Sequence, residues 1–172
     1  MRAASPAVLA ALVVTVLVPV PATAGPVPAQ TPVASAWMLP LAGGPVVTRP
    51  FEAPAHAYGP GHRGVDLAGA PGVPVTAAGD GVVVFAGMVA GRPVVSIDHA
   101  DGLRTTYEPV DPAVGGGQRV ARGAPIGTLV PGHAGCPVEA CLHWGLRLGE
   151  DYFDPLLLLV VRVRLLPLRG DR

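Results

Sequence analysis

At 172 residues, half of them hydrophobic, the chain is long enough for one domain with one modest core. Twelve basic residues, every one an Arg, balance twelve acidic ones. A nucleic-acid partner wants a basic excess, so composition argues against one, and against capturing any polyanion by charge alone.

In chain order, Met1-Arg2 supplies one positive charge ahead of an apolar stretch from Ala7 to Val18. Pro19 and Pro21 break that stretch, and Ala22-Thr23-Ala24 gives the small-x-small pattern of a cleavage site. Residues 1–24 therefore read as a signal peptide, and the protein is expected to be exported. The apolar run is short for a membrane span, and no cysteine near the cleavage site offers a lipid anchor. No span is expected in the mature chain. Residues 25–36 are a Pro/Ala-rich linker, and residues 37–172 are expected to hold the domain.

Inside that domain, Gly61-His62-Arg63-Gly64-Val65-Asp66 comes first. On extended backbone, side chains two or four residues apart share a face, so His62 and Asp66 can converge. Gly64 between them argues against a helical reading of the same spacing. Short β-rich runs follow at Val73 to Thr76, Val82 to Phe85, Val94 to Ile97 and Arg104 to Tyr107, separated by Gly, Pro and Asp. Val94 to Ile97 and Ile126 to Val130 are apolar enough for core strands. No long segment has a helical period, and the expected class is all-β. Cys141-Leu142-His143-Trp144 lies near the end and places Cys141 on the face of His143. Two imidazoles and a carboxylate then form the ligand set of a zinc centre with one position open, which suits hydrolysis. The six apolar residues from Leu156 to Val161 read as a buried terminal strand or short helix.

Several of these segments, in this order, resemble the lysostaphin/LytM-type zinc peptidases. They are Gly61 to Asp66, Ala77-Ala78-Gly79-Asp80-Gly81-Val82-Val83, His99-Ala100-Asp101-Gly102 and Thr105-Thr106-Tyr107. Gly117 to Gly127, His143 and Tyr152-Phe153-Asp154-Pro155 complete the series. The resemblance runs from about residue 51 to 158. It implies a single domain of antiparallel strands with the duplicated-hybrid-motif architecture. It also implies zinc held by His62, Asp66 and His143.

Two histidines that such domains usually place beside the metal are replaced here by Pro109 and Cys141. Proline cannot take or give a proton, and a thiol can only while reduced. Glu139, His133 and Glu108 are the available substitutes, although strand alternation from Tyr107 would turn Glu108 away. Tyr107 is a candidate support from the neighbouring strand. The two cysteines, Cys136 and Cys141, suggest a disulfide in an exported protein. The alternatives are two free thiols, or Cys141 as a zinc ligand.

The resemblance implies a secreted, wall-associated zinc metallopeptidase acting on bacterial cell-wall peptidoglycan peptides, slow without its two histidines. The competing expectation is a zinc-binding module that engages peptidoglycan or regulates a wall hydrolase without cutting. A structural zinc protein is a third reading, and it calls for a fourth protein ligand.

Overall fold

The computed structural model describes residues 36–56 and 59–159. The expected signal peptide and all but the last residue of the linker lie outside the described residues. Eleven strands occur among those described. They are Val47–Arg49 (β1), Gly64–Gly69 (β2), Pro74–Thr76 (β3), Gly81–Val89 (β4), Arg92–Asp98 (β5) and Leu103–Glu108 (β6). Val110–Pro112 (β7), Arg119–Val120 (β8), Pro125–Leu129 (β9), Ala140–Leu148 (β10) and Asp151–Phe153 (β11) complete the set. Short 3-10 turns cover Ala100–Gly102 and Pro155–Leu159. The terminal apolar run therefore begins as a short helix, and residues 160 and 161 fall outside the described part. The fold is all-β and antiparallel, as the β-rich runs predict.

The larger sheet has the order β1-β2-β10-β6-β5-β4-β8, with β11 pairing the far end of β10. A smaller sheet has the order β3-β9-β7. Both contribute to one apolar core: Val65 and Leu67 of β2, Leu142 and Trp144 of β10, Ile97 of β5, and Ile126 and Leu129 of β9.

Alternation on two strands sets up the functional face. On β2, Val65 and Leu67 enter the core, so Gly64 and Asp66 project from the opposite face. On β10, Leu142 and Trp144 enter the core, so Cys141, His143, Gly145 and Arg147 project the other way. Burying a Leu or Val side chain contributes about 1.5–3 kcal/mol. A one-residue slip of β10 would expose Leu142 and Trp144 and bury His143. The core thus holds the register that makes Asp66 and His143 direct cross-strand partners.

Candidate metal centre

Asp66 and His143 sit side by side because β2 and β10 are paired, although 77 residues separate them in sequence. His62 arrives from the approach to β2, where its backbone pairs with Glu52 in an isolated bridge. The spacing of His62, Gly64 and Asp66 now has a structural reason. A Cβ at Gly64 would lie 2.4 Å from the Trp144 carbonyl oxygen and 2.7 Å from the His143 ring. Only glycine lets β2 approach β10 this closely with an imidazole beside it.

Three atoms form a nearly equilateral triangle. His62 Nε2 lies 3.0 Å from Asp66 Oδ1 and 3.0 Å from His143 Nδ1, and His143 Nδ1 lies 2.9 Å from the same oxygen. His62 Nδ1 donates to the Pro50 carbonyl at 2.6 Å. In the neutral ring that bond leaves Nε2 with a lone pair, aimed at a carboxylate oxygen and at a second imidazole nitrogen. Without a metal a proton on His143 Nδ1 is shared with Asp66; in the tautomer that frees Nδ1, three lone pairs converge on a space that suits a cation. Two nitrogens and one oxygen, nearly buried and oriented by an outer hydrogen bond, fit zinc.

His133, from the loop between β9 and β10, joins this group. Its Nε2 lies 3.0 Å from Asp66 Oδ2, the oxygen outside the triangle, and its ring stacks on that of His143 with centroids 5.6 Å apart. One ligand atom from each of His62, Asp66, His133 and His143 falls within a 4.8 Å cluster. Sequence reasoning admitted His133 only as one substitute among several, because nothing local ties a loop histidine to a strand 67 residues away. The electrostatics follow from this crowding. Burial alone would raise the Asp66 pKa, but hydrogen bonds from His133 and His143, aided by the charges of His133 and His62, hold it below the usual carboxylate range. Asp66 is a carboxylate whenever the domain is folded near neutral pH.

Cys136 and Cys141 are joined in a disulfide. The bridge removes the last titrating group at position 141 and leaves Cys141 buried, neither a free thiol nor a ligand. It also ties the loop carrying His133 to the start of β10.

Three expectations are corrected. Tyr107 does not support the site: it pairs with Trp144, points into the core, and binds the Ala78 amide and the Thr105 hydroxyl, each at 2.9 Å. Burial pushes its phenol up to about 12. Glu139 is exposed one residue ahead of β10 and outside the clustered groups. Glu108, expected to turn away, pairs directly with His143 and shares its face. Strand alternation explains this: β6 buries Tyr107, so Glu108 must project with His143. Pro109 is buried just beyond it and can neither take nor give a proton.

Beside the centre lies a cleft of roughly 590 Å³, whose lining includes His143, Glu108 and Thr106.

Comparison with known proteins agrees with this geometry. The model of peptidase family M23 matches residues 60–155. Uncharacterized proteins of Mycobacterium tuberculosis and Mycobacterium bovis are 53% identical over 137 residues, a span covering 77% of this chain and 55% of theirs. The chain therefore spans about half the length of those relatives. A zinc-containing peptidase from Vibrio cholerae is 27% identical, with a TM-score of 0.56 over 69% of this chain and 38% of that one. The catalytic domain of lysostaphin from Staphylococcus simulans shares the fold, with a TM-score of 0.58 at 23% identity, over 67% of this chain and 93% of that domain. The matched segment holds the whole triangle, and the chain belongs to peptidase family M23.

Proposed function

We propose that this domain is an exported zinc endopeptidase acting on peptide bonds of bacterial cell-wall peptidoglycan. The observation that carries the reading is the triangle of His62, Asp66 and His143 at the wall of an open cleft. Family membership supports peptidase chemistry, and the leader-like residues 1–24 support export.

His62, Asp66 and His143 would hold the ion, and when bound it supplies Lewis acidity toward a carbonyl and lowers the pKa of a water. His133 holds the outer oxygen of Asp66 and so keeps the carboxylate turned toward the triangle. This favours a three-ligand, open centre over a closed structural one. Glu108 projects into the cleft beside His143, its carboxylate 3.6 Å from Arg92. We assign it the proton transfer, from water to the leaving amine, that Pro109 and Cys141 cannot perform; its strand pairing with His143 supports the assignment.

The test is metal content together with wall digestion. Dialysed wild type should carry about one zinc per chain and release peptides from purified wall. His143→Ala should lose both. Equal zinc in the two proteins would remove the assignment of the centre. Stoichiometric zinc without any peptide release would favour the module that binds or regulates without cutting.

A further inference from the structure

Strand pairing arranges the functional face in three cross-strand rows. The first is Asp66–His143–Glu108, the second Gly64–Gly145–Thr106–Ser96, and the third Arg147–Arg104–Asp98. The middle row holds only glycines and short hydroxyl side chains, and Ser96 and Thr106 hydrogen-bond each other at 3.2 Å. The outer rows carry long side chains. The result is a trough running across the strands, with the metal centre along one wall and arginines along the other.

Its charge is uneven. Arg63, Arg92, Arg104 and Arg147 line the cleft against a single carboxylate, Glu108, in a chain with no net charge. Two flanking acids offset this only in part, Asp98 at Arg104 and Glu150 at Arg147. Asp98 takes two hydrogen bonds from Arg104, which fixes the guanidinium plane. Those bonds hold Asp98 below its ordinary range against mild burial, and Arg147 adds its charge there, so the two arginines share one neighbourhood. Glu150 stands 3.7 Å from Arg147 with its own side chain 97% exposed. A contact so solvated is readily displaced by an incoming carboxylate.

We infer that the trough takes an anionic peptide, with Arg147 and Arg104 binding a substrate side-chain carboxylate on the wall opposite the metal centre. This rests on the peptidase reading. The strand sets the spacing of the two walls: Arg147 is four residues beyond His143, roughly 13 Å at about 3.3 Å per residue. A glycine-only strand would gain nothing from this wall.

The test uses capped alanine/serine heptapeptides with one Glu placed at each position in turn, against the Gln counterparts. Binding to the zinc-loaded protein is measured by calorimetry. At one position, or two adjacent ones, Glu should bind at least about tenfold tighter than Gln, and added salt should shrink the difference. In Arg147→Gln, and in Arg104→Gln/Arg147→Gln, the preference should fall to about twofold or less with zinc content and melting temperature unchanged. Arg147→Glu should reverse it toward Lys-bearing peptides, which a folding defect cannot imitate. Equal binding of Glu and Gln peptides, or no measurable binding of either, overturns the inference. A Glu preference that survives in Arg147→Gln overturns it as well. Failure of the peptidase reading shows separately, as absent zinc or absent wall digestion in a protein that still prefers Glu.

Discussion

The roles proposed for Glu108 and His133, one on the proton and one on the metal ligand Asp66, can be separated by substitution. Glu108→Gln keeps the shape of the cleft wall but removes the group placed to move a proton. Peptide release should fall by about 10²- to 10⁴-fold with zinc stoichiometry unchanged. His133→Ala should act on the metal, since it removes the partner of Asp66 Oδ2. Zinc affinity, read by competition with a chelator, should weaken by about 10- to 100-fold while one zinc still binds at saturation. Complete loss of zinc would instead make His133 a ligand and close the centre. The triangle was legible as spacing: His62, Asp66 and His143 could be proposed because even intervals share a face. Glu108 and Tyr107 were misread, because facing depends on which of two neighbours the core claims. Aromatic Tyr107 wins that contest, completing hydrogen bonds to Ala78 and Thr105 in the interior.

At the scale of elements, the loop from 131 to 139 is what the strand pattern could not orient. It has no ladder, and its geometry comes from the disulfide and a turn in which the Cys136 amide donates to the His133 carbonyl at 3.3 Å. Both constraints act on the segment bearing His133. In Cys136→Ser/Cys141→Ser the core should persist, because Leu142 and Trp144 still hold β10. Zinc affinity should fall toward the His133→Ala value, and adding His133→Ala to that double variant should cost little more. Fully additive losses, by the same chelator assay, would show that bridge and imidazole act separately. β4, β5 and β6 were readable because their β-branched runs are bounded by Gly, Pro or Asp, whereas three-residue β1, β7 and β11 are too short to carry a period.

Across the whole molecule, a second histidine makes the fold pH-dependent. His99 hydrogen-bonds the Asp80 carbonyl at 2.8 Å and the Thr105 hydroxyl at 2.7 Å, linking the start of β4 to β6. Burial lowers its pKa from 6.5, outweighing the opposing pull of the Asp80 carbonyl and of the Asp98 and Asp80 charges. The unfolded chain thus takes up a proton that the folded one refuses. Stability should be full above pH about 6.5 and fall as the medium is acidified below it. Denaturant midpoints of wild type should drop between pH 7.5 and 5, and His99→Gln should drop less. The pairing of β2 with β10 has a kinetic counterpart. The residues that meet as Asp66 and His143 are 77 positions apart, so the contact closes a long loop and pays its entropy before any reward. A partly folded intermediate, with the β4–β5 hairpin formed but β10 unplaced, has no triangle. Metal capture would then report that β10 has docked on β2, because only that pairing brings Asp66 and His143 together.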